Sequence, residues 1–250
     1  MKFIDHIKED WQKVKGLSSK EKWEFFWDYY KIPVICILLA VVLIVQGISS
    51  SANQKQVVFS GFSINCKINT DEDSFWNGFY EVAGIDAETQ TAACYADMQI
   101  VTGHTQLNNE TIQKIIANCA VREADFVTGD PVAFQTCAYT SQKLFTDLRD
   151  ILDAETLTKY ADRIYYIDMS IIDVLNTPVG EQIEPNALEY PKDPKDPTTM
   201  KNPIPVGIDI SDRKDFQKAY YMDGTTLYVG AIKSTARPEL TKQFLEYLLQ

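Results

Sequence analysis

Apolar and polar positions divide this chain into one unbroken apolar run near its start and a long region of alternating patterns. From Ile32 to Val45 fourteen consecutive residues carry no charge or strongly polar group, and the run extends over 29–48 when Lys31 is allowed to snorkel. About twenty helical residues match the ~30 Å hydrocarbon core of a bilayer, and no polar face interrupts them as one would in a helix that still meets water. Trp23, Trp27, Tyr29 and Tyr30 crowd the entry, and Pro33 falls near the first turn. The pattern predicts a transmembrane helix over 29–48, a single pass. Thirty-one residues precede the run, too many for the usual cleavable signal, and Cys36 lies inside it as a small apolar filler.

Residues 1–28 carry Ile4, Ile7, Trp11 and Val14 at helical spacing, which suits either an amphipathic helix on the inner leaflet or a coiled-coil contact with a partner. Ser18 stands three residues before Glu21, a capping-box pattern for a new helix. A polar linker over 49–55 leads into residues 56–250. There, strand-like "QVVFSGFSI", "TAACYADMQIV", "ADFVTGD", "IYYID", "VGIDI" and "TLYVGAI" alternate with helix-like "DEDSFWNGFYEVAG", "NNETIQKIIANCA", a turn from Pro131 to Cys137, "RKDFQKAY" and "RPELTKQFLEYLL". Asn108 or Asn109 caps the second of these helices, and "KLFTDLRDILDAETLTKYADRI" holds one or two more. Repeated switching between periods of two and 3.6 argues for an α/β domain with a mixed sheet. Seven of the ten prolines fall in 177–206, which reads as a long surface excursion: a polar loop on the rim, or a lid or docking arm.

Charge then orients the chain. Seven lysines precede the apolar run and only Lys55 follows it closely, so the N-terminus is expected in the cytoplasm and the C-terminal domain outside the cell membrane. The net charge is −11, and residues 32–250 hold 17 basic against 29 acidic groups. Such a surface repels phosphate backbones, so nucleic acid is excluded as a partner. In an extracellular setting Cys66, Cys94, Cys119 and Cys137 suit two disulfides; of three possible pairings, short loops favour Cys66 with Cys94 and Cys119 with Cys137. Without a C-x-x-C, and with His104 the only histidine beyond the apolar run, no metal site is expected.

No catalytic constellation emerges. A triad would have to be built on His104 in "VTGHTQ" without any G-x-S-x-G. In "NTDEDS", Asn69, Asp71 and Asp73 alternate like calcium ligands, but Ser74 replaces the glycine and Tyr80 the closing glutamate. Asp223 and Gly224 read as a type I′ hairpin turn. Glycines are scattered singly, with no phosphate-binding loop, so no nucleotide or other cofactor is expected and the chain reads as no enzyme.

The succession "ADFVTGDPVAFQTCA", "KLFTDLRDIL", "LTKYADRIYYID", "PVGIDISD" and "LYVGAIKSTARPELTKQFLEYLL" resembles the type II solute-binding proteins of ABC importers. "WEFFWDYYKIPVI" before a single span resembles membrane-anchored proteins of Gram-positive bacteria. The resemblance implies a reduced periplasmic-binding-protein-like fold, since the chain is short for two lobes. It also implies a ligand at the carboxyl ends of the strands, near helix N-termini. On that footing Thr128 and Asp130 follow a strand, Pro131 opens a helix, and Tyr139 and Thr140 line the same cleft. The competing account is an ordinary strand-to-helix turn with Asp130 as N-cap. The expected role is a membrane-anchored, non-catalytic binding protein for a small-molecule solute or a protein partner; the alternative is an assembly subunit of an envelope or transporter complex.

Overall fold

The computed structural model describes residues 18–24, 27, 31–32, 34–36, 39–42, 55–66, 68, 72–100, 110–140, 143–176, 188–220 and 224–250. The chain divides into two compact units, Met1–Gln54 and Lys55–Gln250.

In the first unit the capping box forms: Ser18 N–H and Oγ donate to Glu21 Oε2 at 2.8 and 2.7 Å. The described residues from 19 to 42 are helical, with Trp23 stacked on Trp27 at 6.2 Å. The expected transmembrane helix over 29–48 is not borne out, because among the described residues no helix is long and apolar enough to cross a membrane. The described helical residues of the apolar run are 32, 34–36 and 39–42, fewer than the about twenty that a span requires. The single-pass placement in the cell membrane, with a cytoplasmic N-terminus and an extracellular domain, loses its basis with it. The stripe Ile4, Ile7, Trp11 and Val14 and linker residues 49–54 lie outside the described residues.

The second unit holds the expected α/β mixed sheet. Its strands are β1 (Gln56–Ile64), β2 (Gln90–Met98), β3 (Phe126–Gly129), β4 (Ile164–Asp168), β5 (Pro203–Asp209) and β6 (Tyr228–Ala231). Its helices are α1 (Glu72–Ala83), α2 (Glu110–Ala120), α3 (Pro131–Ala138), α4 (Ala154–Lys159), α5 (Met169–Leu175), α6 (Lys214–Tyr220) and α7 (Pro238–Leu249). The strand order is β2-β1-β3-β6-β5-β4. The β1/β2 and β1/β3 pairs are parallel, while β3/β6, β6/β5 and β5/β4 are antiparallel.

Period-two alternation sends successive strand residues to opposite faces, so each face receives its own core. Phe59, Phe126, Ile208 and Val229 pack against α1, α6 and α7, where Phe75, Trp76, Phe216 and Phe244 are buried. Phe62, Val127 and Val206 pack against α2, α3 and α5 through Ile115, Phe134 and Ile172. Phe244 is the hub of the first core, its ring 4.6 Å from Phe126 and 5.0 Å from Phe59. Gly61 is required there, because a Cβ would come within 2.4 Å of the Phe126 ring.

Part of the proline-rich excursion joins the sheet. Pro203 and Pro205 lie in β5, yet β6 pairs only with Ile208 and Asp209, so both prolines sit where one neighbouring strand suffices. Tyr165 pairs with Gly207 and Tyr166 with Pro205, leaving Val206 as a bulged residue. The bulge shifts the alternation, so Val206 faces one core and Ile208 the other. Residues 177–187 lie outside the described residues; farther on, Pro194 C=O accepts from Tyr166 N–H at 2.7 Å and covers the β4 edge. Asp223 also lies outside them; Gly224 (φ 74°) precedes β6 after helix α6, so the Asp-Gly pair joins a helix to a strand and not two strands.

The expected disulfides are absent: Cys66, Cys94, Cys119 and Cys137 are all free and buried. Strand register places Cys94 opposite Gly61, whereas Cys66 lies beyond Ile64, whose partner is Met98. Cys119 and Cys137 fill the second core from two helices, α2 and α3. Each acts as a small apolar side chain. Burial pushes the Cys66 and Cys119 thiols up to about 11 and also raises Cys94 and Cys137, which removes the reactive thiolate.

Candidate functional site

β1 is flanked by β2 and β3, and the connections through α1 and α2 run over opposite faces, the topology that in open α/β sheets places a ligand crevice beyond the carboxyl ends of such strands. Asn65, just past β1, holds a left-handed backbone (φ 61°) that asparagine tolerates better than other side chains. Its N–H donates to Met98 C=O at 2.9 Å. Its Oδ1 accepts from Ile100 N–H at 2.8 Å, and its Nδ2 donates to Asp130 Oδ2 at 2.9 Å. One amide thus ties together the ends of β1, β2 and β3.

Asp130 caps α3, its Oδ1 accepting from Ala133 N–H at 2.8 Å, with Pro131 opening the helix. Beneath it, buried Thr128 donates through Oγ1 to Ser63 Oγ at 2.8 Å. These two residues therefore lie together at the end of β3, Thr128 buried and Asp130 at the start of α3. Tyr139 and Thr140 do not join them: they lie past the other end of α3, about 12 Å away along eight residues of helix. Tyr139 is buried, accepts from Asp168 N–H at 3.0 Å and packs edge-on against Tyr190 at 4.8 Å. Burial pushes its hydroxyl up to about 12. The Thr140 hydroxyl is buried with no hydrogen-bond partner among the described residues.

Sequence reasoning missed Asn65. Its only signal is an asparagine at the end of a strand pattern, "SINCK", where a left-handed residue ends the strand. It also missed three aspartates that organise the remaining loops. Asp168 accepts from the amides of Ser170, Lys201 and Asn202. Burial acts to raise its carboxyl, but the Lys201, Ser170 and Asn202 donors outweigh this and hold it below the ordinary value. Asp209 likewise overcomes burial through Lys195, whose Nζ is 2.5 Å away, and through Ser211. Asp125 lies at the far end of the sheet, fully buried, and accepts from Ser60 N–H, Thr235 Oγ1 and Arg237 Nε.

Among the described residues no group of three or more histidine, cysteine or acidic side chains could hold a metal. His104, Asn69 and Asp71 lie outside them, while Glu72 and Asp73 form the first turn of α1. Comparison with protein-family models, with curated proteins and with solved structures finds no match for this chain, so nothing in those comparisons identifies the domain as solute-binding-like.

Proposed function

We propose that residues 55–250 form a non-catalytic binding module, a one-lobed counterpart of the type II solute-binding proteins that the sequence resembles. Its ligand is a small polar molecule or a polar loop of a partner protein, held at the carboxyl ends of β1 and β3. The observation that carries this reading is the Asn65–Asp130 hydrogen bond at the switch point, which braces three strand ends against the start of a helix. Both side chains are committed to backbone amides and to each other, which suits a rigid recognition surface more than proton transfer.

A second reading is a purely structural, assembly role with no small-molecule ligand. It is favoured by the single sheet in this unit, which offers one wall of a cleft where a two-lobed protein has two. One experiment addresses both. The intact chain is melted with a panel of small polar metabolites, and membrane and cytosolic extracts are passed over it, using wild type, Asp130→Ala and Asn65→Gly. Asn65→Gly keeps the left-handed backbone while removing the side chain. Binding at the crevice predicts a ligand-dependent rise in melting temperature, or a captured protein, in wild type that both variants lose. Equal capture by all three proteins with no thermal shift would remove the crevice from consideration.

A further inference from the structure

The sheet ends on β2 at one side and on β4 at the other. β4 pairs with β5, and the amides of Ile164, Tyr166 and Asp168 face away from that ladder. Opposite Tyr166 and Asp168 stand Pro205 and Pro203, which have no N–H to donate back. Each outward amide has a partner elsewhere. Ile164 N–H donates to Ala161 C=O, Tyr166 N–H to Pro194 C=O at 2.7 Å, and Asp168 N–H to the Tyr139 hydroxyl at 3.0 Å. Pro194 belongs to the segment 188–202, and Tyr139 is the ring against which Tyr190 of the same segment packs. An edge that would otherwise offer unpaired donors and acceptors is closed by one strap.

The strap covers the sheet without extending it. Pro191, Pro194 and Pro197 recur at every third position and lack the N–H that a further strand would need. Amides between them turn back on the strap itself: Lys195 N–H donates to Asp193 Oδ1 at 2.9 Å, Asp196 N–H to Asp193 C=O at 3.3 Å and Thr198 N–H to Asp196 Oδ1 at 3.0 Å. Its root is fixed where the Lys201 and Asn202 amides donate to Asp168. Its middle is tied, among the described residues, by the Tyr166–Pro194 hydrogen bond and by Lys195, whose Nζ lies 2.5 Å from Asp209 Oδ2 on β5. Both side chains of that ion pair are only partly exposed.

We infer that residues 188–202 are a latched edge guard, a strap held by the Lys195–Asp209 ion pair that keeps β4 from pairing with β4 of a second copy of this chain. A second copy is the fitting occupant because Tyr166 is the central residue of β4. A two-fold axis beside it sets Tyr166 opposite its equivalent in an antiparallel pair, and each outward N–H then meets the other's outward C=O. The strap and the Asn65–Asp130 pair lie on different strands, and neither depends on the other.

Hydrogen exchange of the Tyr166 amide in the intact chain reads the strap directly. Lys195→Met keeps the apolar stem and removes the charge. It should speed Tyr166 exchange about fivefold, the worth of one partly exposed ion pair, and leave the Val127 amide of β3 unchanged. Replacing residues 189–199 by a Gly-Ser segment of equal length releases the strap outright. In dilute solution the Tyr166 amide of that chain should exchange fast. With rising concentration it should regain protection, while sedimentation shows a doubling of mass over wild type. If the replaced chain does not melt cooperatively, Lys195→Met combined with Tyr190→Ala takes its place. Unchanged Tyr166 exchange in folded Lys195→Met, or Tyr166 exchange in the released chain that does not vary with concentration, would overturn the inference.

Discussion

Asp125 offers the sharpest test of how this fold is held together. Its carboxylate is fully buried and receives three donors: Ser60 N–H at 2.8 Å, Thr235 Oγ1 at 2.5 Å and Arg237 Nε at 3.0 Å. Its own N–H and C=O pair with Ser60 and Ile232, so one residue joins β1, β3, the end of β6 and the approach to α7. Asp125→Ala leaves the Ser60 amide unpartnered, at about 1–3 kcal/mol, and deprives a three-quarters-buried arginine of its counter-ion. Breaking a buried pair from one side costs about 3–5 kcal/mol in total, a large share of a typical domain's stability.

The neutral isostere separates charge from geometry. Burial pushes the Asp125 carboxyl above its ordinary value, more than Thr235, Ser60 and Arg237 pull it down. The folded state therefore tolerates the uncharged form better than water does. Asp125→Asn should accordingly cost only about 1–2 kcal/mol, chiefly for an amide NH₂ facing a donor. Urea unfolding with unchanged slope is the assay. A cost below about 1 kcal/mol for Asp125→Ala, or a cost for Asp125→Asn equal to that for Asp125→Ala, would refute the reasoning.

Three further outcomes follow from the same structure. Gly61→Ala should destabilise by about 1–3 kcal/mol, since the new methyl overlaps the Phe126 ring, and the urea midpoint reports it. A thiol reagent should label one cysteine per native chain, the exposed Cys36, and all five only in denaturant without reductant; fewer than five would reveal a bridge. Asp168 and Asp209 have folded-state pKa values below the ordinary carboxylate value, so their stabilisation is present at neutral pH. It should fade from about pH 5 downward as the pH falls through the unfolded value near 4 to the lower folded ones. Asp125 acts in the opposite sense, its contribution being lost as pH rises. Urea midpoints at neutral and acid pH should show a smaller acid loss in Asp168→Asn than in wild type.

Local patterning determined most of the elements of this protein. Val57, Val58 and Phe59 mark β1; Phe75 and Phe79 place one face of α1 on the core; Ile112 and Ile115 do the same for α2. Asp130 and Pro131 announced the start of α3, and Ser18 with Glu21 the start of the N-terminal helix, because a cap and its target are separated by three residues of chain. Such features depend on neighbours along the backbone, so they can be read without a fold. The apolar run near the start was read from hydropathy alone, which reports what a segment could enter; among the described residues no helix is long and apolar enough to cross a membrane.

Only the tertiary structure decided which distant groups meet. Helix α5 went unread because Asp168, its cap, is also claimed by amides of Lys201 and Asn202, more than thirty residues away. The bulge at Val206 let a proline-rich segment end as a strand, which no local rule anticipates. Thr128 and Asp130 came together with Asn65 across three strand ends, whereas Tyr139 and Thr140 went to the opposite end of one helix. Four cysteines spaced like a disulfide framework became separate fillers of two cores. Strand order and register set these distances, and both result from the burial of two opposed apolar faces at once, a condition satisfied by the whole domain and by no single segment.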